Sequence, residues 1–550
     1  RRSRMAMKKR RNPTRMTTGF RAIRQEVNDK DNHIVEVEFP KQDGALGRLK
    51  ISRETLAQPH IARLRFIGAG AADRDEWKQI CKELLGTSGL PTTQRVRQSG
   101  WHGETFVTRY GVMSGPADIV LDGEEMEFQP ARTSGNRSAY LKGVQPFLEK
   151  SDFLLFAYIV GLAPPLASRL ERTSSFAVCF SQESSTGKTL SLRLAHSLAD
   201  QAAESDLLNF GNSMGHVLDS LATLGGLCVC FTDIKADINQ RNAIQKLQTL
   251  TFNATGALAR QRKGEPARSR PQFLIPFLSA ERPVCELFAA ANISFEDGEA
   301  VRLLDIAIPP RDAGGIFAGA PENSVDLVAQ LEAFLEANHG TVMPWWIKNL
   351  AHVRIDKLRK DIEKKEDIFL KSLGELLPLH TRIAKHFSLL SAVAYIATLA
   401  KVLPISHEVA DSALRRIFHD YTAQLGQREA QQVAKWQEFF DLLDDERVLP
   451  RAHRGQALES AGEPKGFRRK DNGVEYIFVR RGALEGIFAG TNLLRTVVLP
   501  QLDRLGCLER QQTEDWTVPI SQAGIDGRPR YYRIVAAALG HAKAKILGAR

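Results

Sequence analysis

The residues with the clearest chemical purpose are Ser184-Ser185-Thr186-Gly187-Lys188-Thr189, inside the stretch SQESSTGKT (181–189). Small polar residues followed by Gly-Lys-Thr suit a loop whose backbone N–H groups crowd around phosphates. Lys188 would reach the β- and γ-phosphates of a nucleotide, and the Thr189 hydroxyl would hold Mg²⁺. Such a loop needs a buried strand before it and a helix after it. SFAVCF (175–180) supplies the strand, and KTLSLRLAHSLA places Leu190, Leu192, Leu194 and Leu198 along an amphipathic helix. The loop departs from the usual pattern at its start, where Gln182 stands in place of glycine. Glycine there tolerates unusual backbone angles, so Gln182 must reshape the entrance or adopt a compatible conformation.

A second apolar strand, GLCVCFTDI (226–234), ends in Asp233, positioned to hold Mg²⁺ through water. The following position, commonly a water-activating Glu, is Ile234. Either Asp237 substitutes as base, or the site binds ATP without efficient turnover. Cys228 and Cys230 share one face of this strand and read as buried thiols rather than metal ligands. A third strand, QFLIPFLSAERP (272–283), ends at Ser279 with Glu281 nearby. Ser279 is placed either to sense a γ-phosphate or simply to close the strand. Between the second and third strands, ALARQRKGEPARSRP carries Arg260, Arg262, Lys263, Arg268 and Arg270 around a turn. As a hairpin it would offer a cationic tip to a nucleic-acid backbone, whereas as a loop it would be a solvated connection. Arg302, read at a strand start in DGEAVRLLDIAIP, and the helical Arg382 are candidates for an arginine offered to a neighbouring subunit's γ-phosphate.

The elements that must position these residues follow from periodicity. Residues 31–140 form an α/β module containing the strand HIVEVEFP and the helix DEWKQICKELLG. Residues 141–345 alternate apolar strands with helices, and residues 346–445 are helical throughout. Residues 446–463 are a polar linker, and residues 464–550 form a small C-terminal unit. In that unit TNLLRTVVLPQLDRLGCLER suggests two helices with a tight turn. The first fifteen residues hold eight Arg or Lys, so 1–30 is read as a basic disordered arm, either touching nucleic acid or merely solvated. This arm accounts for most of the +11 net charge, though not all of it, and the basic balance favours an anionic partner, nucleic acid being the commonest. The six cysteines form no CxxC pair or Cys/His cluster, which argues against zinc and for a reducing cytoplasm. FLLFAYIVGLAPPLA (153–167) is too short to span a membrane and contains Pro164-Pro165, so it reads as a core helix. No apolar run follows the basic start, as a secretory signal would require.

In their order, these landmarks resemble the phage and plasmid primase/helicase-like P-loop domain known as domain of unknown function nine-two-seven. The resemblance runs from about residue 35 to 345, and more loosely to 540. It is carried by GWHGETFV (100–107), SSTGKT, TGALARQRKG, LSAE, GEAVRLLDI and NHGTVMPWW. It implies an α/β AAA+ P-loop NTPase core with a pore hairpin at 256–272, a helical region and a C-terminal winged helix. It also implies a homo-oligomeric, hexameric ring, similar to self-loading minichromosome-maintenance-like helicases of mobile elements. The matching positions are Lys188, Thr189, Asp233, Ser279 and Arg302. The winged helix would bring Arg495, Arg528, Arg530 and Arg533 near DNA phosphates, or serve as a protein-docking unit. The leading expectation is an ATP- and Mg²⁺-dependent helicase or translocase drawing single-stranded DNA through the ring, with replication or mobile-element proteins as partners. A catalytically weakened ATP- and DNA-binding scaffold or loader is the alternative, and a nucleotide-regulated sensor in phage defence is a third reading.

Overall fold

The computed structural model describes residues 19–27, 33–66, 68–69, 73–96, 99–108, 110–115, 118–121, 132–172, 174–211, 213, 217, 221, 224–232, 234, 240–256, 273–291, 293, 295–455, 457, 465–489, 493–510, 515–523, 525, 527–547.

The first unit is a sheet covered by short helices. Strands β1 (Arg21–Val27), β2 (His33–Pro40) and β3 (Leu46–Ser52) pair antiparallel. Alternation in β2 buries Val35, Val37 and Phe39 and leaves Glu36 and Glu38 partly exposed. Helices α1 (Arg53–Leu56), α2 (Pro59–Arg65) and α3 (Arg74–Gly86) follow. The Asp73 carboxylate caps α3 by accepting from the Asp75 and Glu76 N–H groups, and α3 buries Trp77, Ile80, Cys81 and Leu84. Strand β4 (Thr92–Val96) comes next. Strands β5 (Gly100–His102), β6 (Thr105–Thr108) and β7 (Gly111–Ser114) then form a separate antiparallel sheet, and β8 (Ile119–Leu121) returns to the first. The larger sheet runs β3-β2-β1-β4-β8.

The basic arm expected over residues 1–30 is corrected here, because residues 21–27 are the middle strand of this sheet. RAIRQEV hid its strand character because its buried positions include a charge. Glu26 is buried and paired with Lys50 at 2.7 Å and Arg95 at 3.3 Å.

Helices α4 (Arg137–Lys150) and α5 (Asp152–Arg169) lead into the central unit. All of α5 from Leu154 to Ser168 is buried, which makes it the core helix expected despite its two prolines. The indoles of Trp101 and Trp346 donate to its Pro165 and Leu162 carbonyls at 2.8 and 2.9 Å, fastening the β5–β7 sheet and the later helical region to it. Then come β9 (Ala177–Ser181), α6 (Lys188–Ser197), β10 (Cys228–Cys230), α7 (Gln240–Gly256) and β11 (Ile275–Ala280). Helices α8 (Val284–Ala290) and α9 (Asp297–Arg302) precede β12 (Leu303–Ala307). The four strands are parallel, in the order β10-β11-β9-β12. A parallel bridge from Leu208 to Phe231 continues the order beyond β10. β9 and β11 are buried at every position, as strands covered on both faces must be.

The helical region comprises α10 (Ser324–Ala337), α11 (Met343–His352), α12 (Ile355–Ser372), α13 (Pro378–Leu399) and α14 (His407–Asp444). The 38-residue α14 joins two hydrophobic cores. Ile417, Phe418 and Tyr421 belong to the central core, while Trp436, Phe439, Phe440 and Leu443 belong to that of the C-terminal unit. That unit contains β13 (Gly466–Asp471), β14 (Val474–Arg480), α15 (Arg481–Ile487), a π turn at Leu494–Val498 running into α16 (Leu499–Arg504), β15 (Val518–Pro519), β16 (Arg530–Val535) and α17 (Ala536–Leu547). Its antiparallel sheet runs β13-β14-β16-β15. Residues 494–504 form one continuous helical run instead of two helices with a tight turn, and the turn follows at Gly506. The linker expected at 446–463 also changes: Leu449 and Ala452 are buried, and Ala452 N–H donates to Arg468 O at 2.7 Å. The apolar residues of 446–453 were too sparse to show this docking. No helix among the described residues is long and apolar enough to cross a membrane.

His386 of α13 fixes the approach to β12. Its Nε2 donates to Val301 O at 2.9 Å, and its ring lies 4.5 Å from that of Phe176. Burial pushes this imidazole down from the ordinary 6.5 to about 4. The folded protein therefore binds fewer protons than the unfolded chain between these values. The associated stability is complete above about pH 6.5 and is lost as pH falls through 4. A His386→Gln variant is expected to lose less melting temperature between pH 7 and pH 4.5 than the parent protein, as read by calorimetry. Parallel losses would refute this assignment.

Candidate functional site

The segment expected to bind phosphate leaves β9 at Ser181 under the control of both neighbouring strands. Gln182 N–H donates to Ala280 O at 3.1 Å, and Ile308 N–H donates to Ser181 O at 3.0 Å. The Gln182 side chain then straps the entrance: Nε2 donates to Ile308 O at 2.8 Å, and Oε1 accepts from Glu183 N–H at 2.9 Å. Among residues 181–189, positive φ falls at Ser185 (65°) and Gly187 (88°), not at Gln182. The loop therefore needs no glycine at 182, since its left-handed backbone falls at later positions.

Gly187 is needed for two reasons. Its φ is left-handed, and a Cβ added there would lie 2.5 Å from Ile316 Cδ1. Ile316 belongs to a Gly315–Phe317 turn that forms the floor beneath the loop, with its N–H donating to Thr186 O at 2.9 Å. Gly315 must likewise lack a side chain, because its Cβ would meet Thr186 O at 2.5 Å. The floor is held to the N-terminus of α5 by the Ser151 hydroxyl, which donates to Ile316 O.

Lys188 is buried, and its ammonium donates to Gln182 O at 2.8 Å and Glu183 O at 2.7 Å. These bonds close the loop around a single positive charge. Gly187 opens α6, and Ser191 N–H is bonded back to Gly187 O, so the N–H groups of the first turn lie before the intrahelical ladder. A charged ammonium, first-turn N–H groups and the half-buried Thr189 at one helix N-terminus together suit a polyphosphate. Thr189 follows Lys188 in the first turn of α6.

The other strand ends converge on this loop. Ser279 is buried in β11, in register with Phe180 of β9. Ile234 bridges Ala280, donates its N–H to Ser279 O at 2.9 Å, and is 2% exposed. The hydrocarbon at 234 is therefore part of the core. Glu281, just past Ala280, accepts from the Ser184 hydroxyl at 2.7 Å. Glu183 turns to the β12 side, where its carboxylate accepts from Arg311 N–H at 3.1 Å. Asp233 and Asp237 lie outside the described residues. So do Arg260, Arg262, Lys263, Arg268 and Arg270, with all of 257–272. Burial pushes the Cys228 thiol well up, and the Cys230 thiol donates to Leu192 O at 3.4 Å. Among the described residues, no group of His, Cys, Asp and Glu is arranged to hold a metal ion.

Arg302 is not brought to this loop. It ends α9 instead of starting a strand, donates to Gly298 O at 3.0 Å, and lies 4.9 Å from the Phe252 ring. Leu303 pairs with Ala177, so Arg302 stands at the opposite end of the parallel sheet from Lys188. Arg382 is exposed on α13. In the C-terminal unit, Arg530 is paired with Asp515 and donates to Thr517 Oγ1 at 2.8 Å, and Arg533 pairs with Glu509 at 2.9 Å. Arg495 and Arg528 are exposed. Sequence reasoning missed the Gly315–Phe317 floor, because nothing in its spacing links it to a loop more than a hundred residues earlier. It also missed Asp305, fully buried in β12, which accepts from Val284 N–H at 2.8 Å and faces Arg428 of α14 at 3.5 Å. Burial raises its carboxyl above the ordinary range, opposed by the Arg428 charge.

With this geometry established, comparison with known proteins shows what the chain is similar to. A family model described as "Domain of unknown function (DUF927)" matches residues 7–224. The match covers the GWHGETFV element and the phosphate loop and ends before Asp233. The later motifs, from TGALARQRKG to NHGTVMPWW, thus fall beyond the matched span. A solved structure described as "SCCmec type IV Cch - active helicase" has the same fold. It aligns with 96% of this chain and 94% of its own at 15% sequence identity, with a TM-score of 0.58. No curated protein matches the chain.

Replacing Gly187 tests the cradle directly. Gly187→Ala is expected to destabilise the protein by about 1–3 kcal/mol and to abolish binding of a fluorescent ATP analogue. Adding Ile316→Ala removes the clash but not the left-handed strain, so binding should return only in part. Full binding by Gly187→Ala alone would show that the loop is not the phosphate seat.

Proposed function

We propose that the protein is an ATP-dependent DNA helicase or translocase of a mobile element, built on an AAA+ P-loop core and working as an oligomeric ring. The observation that carries this reading is the Lys188 loop at the N-terminus of α6, at the C-terminal end of a parallel sheet with polar strand ends beside it. Ser184, Ser185, Thr186, Gly187, Lys188 and Thr189 would hold the ATP phosphates, and Thr189 and Asp233 its Mg²⁺. The bound metal would supply charge neutralisation across the phosphates. Ser279 would report on the γ-phosphate. The fold shared with a protein described as an active helicase supports the assignment to nucleic-acid work.

In a ring, Arg302 suits a neighbour's nucleotide better than its own, since it lies across the sheet from Lys188. The segment 257–272, between α7 and β11, would present Arg260, Arg262, Lys263, Arg268 and Arg270 to single-stranded DNA in a pore. The C-terminal unit, as a winged helix, would contact DNA through Arg495 and Arg528. Arg530 and Arg533 would have to leave carboxylate partners to do so. The burial of Ile234 favours a second reading, a ring that binds ATP and DNA but turns over slowly and serves as a scaffold or loader.

A DNA-stimulated ATPase assay separates the two. For a motor, turnover is expected at roughly 1 per second or faster, with loss in Lys188→Ala. ATP binding without turnover would reject the motor and leave the scaffold. Joint Arg262→Glu and Lys263→Glu substitution is expected to weaken DNA binding and flatten its salt dependence. An unchanged salt slope would remove this segment from the DNA path.

A further inference from the structure

We infer that Glu281 is the general base for ATP hydrolysis, supplying from the end of β11 the carboxylate that position 234 lacks. The inference rests on the nucleotide reading above and adds the residue that would activate water.

Ile234 belongs to the core and the sheet. Its side chain is in the core, its N–H is used by Ser279 O, and its backbone bridges Ala280. Position 234 is thus an extension of the sheet, and its side chain has no proton chemistry. Ala280 is the residue where three chain segments meet. It bridges Ile234 on one side, pairs with Ser181 on the other, and accepts the Gln182 N–H that opens the loop. Glu281 is the next residue, so it leaves the sheet between the phosphate loop and the strand that would ordinarily carry the base. It is exposed, and it is aimed at the loop, because Oε1 accepts the Ser184 hydroxyl at 2.7 Å. Ser184 lies four residues before Lys188, on the rim of the cradle. The carboxylate in the loop itself, Glu183, is committed to Arg311 N–H on the other side. Glu281 therefore leaves β11 on the side of the loop nearest Ile234, hydrogen-bonded to the loop rim through Ser184.

The chemistry balances without a co-reactant. A water oxygen forms a bond to the γ-phosphorus, and the Glu281 carboxylate takes the proton it releases. The bond from γ-phosphorus to the β,γ-bridging oxygen breaks, and its electron pair leaves on the β-phosphate of ADP. The proton on Glu281 returns to solvent as phosphate departs. The Ser184 hydroxyl holds the carboxylate on the rim.

The test uses the full chain with a fluorescent ATP analogue for binding and phosphate release for turnover, at saturating DNA. Glu281→Gln keeps an acceptor for Ser184 but cannot take a proton. It is expected to bind the analogue within about twofold of the parent and to release phosphate at least about 100-fold more slowly. The inference is overturned if Glu281→Gln turns over at more than about a tenth of the parent rate. It is overturned too if Asp237→Asn takes the 100-fold loss instead, or if Glu281→Gln loses binding and turnover together, which would make Glu281 a structural tether. A parent protein that binds ATP without hydrolysing it removes the base and leaves the nucleotide site standing. A parent protein that does not bind ATP removes the nucleotide reading itself.

Discussion

The site depends on β9 being an inner strand of a parallel sheet. Two flanking strands fix where β9 stops, through Gln182 N–H on Ala280 O and Ile308 N–H on Ser181 O. Parallel pairing puts all the strand ends of one polarity on one edge, so Ser279, Glu281, Ile234 and the loop before Lys188 are neighbours although they span about a hundred residues of sequence. The same register sends Arg302 to the opposite edge. One geometric rule therefore sorts the candidate residues into those that share a cradle and one that does not.

The loop shows how a motif survives a substitution at its first position. A glycine is required only where φ is positive or where a Cβ has no room, and Gly187 meets both conditions. Gln182 meets neither. Its side chain makes two hydrogen bonds that a glycine could not make, joining the loop entrance to the residue after β12. The positive charge of Lys188 finishes the closure by drawing in two carbonyls. The loop is thus built as much from the Gly315–Phe317 floor and β12 as from its own sequence.

Charge and burial explain what periodicity could and could not reveal. Apolar runs such as AVCFS and IPFLSA read directly as buried strands, and DEWKQICKELLG read directly as a helix, because burial there is periodic and almost purely hydrophobic. RAIRQEV did not read as a strand, since its inward-facing Glu26 is neutralised by Lys50 and Arg95 from other elements. The C-terminal arginines looked like a free basic wing, but Asp515 and Glu509 lie beside Arg530 and Arg533 only once β16 is folded into place. In the same way, α14 read as one more helix of a region that is helical throughout. Its residues in fact divide between two cores, so any tilt of α14 would be felt in both units.

By itself the sequence determined the strand Ala177–Ser181, the helix Lys188–Ser197, the loop between them and the apolar strands that follow. These are local signals of backbone freedom and side-chain period, readable within a dozen residues. Only the tertiary structure decided which strand ends share an edge, that Ile234 is sealed in the core, and that Glu281 reaches Ser184. The reason is physical: strand order and register are set by packing between segments far apart in the chain, and no local spacing records them.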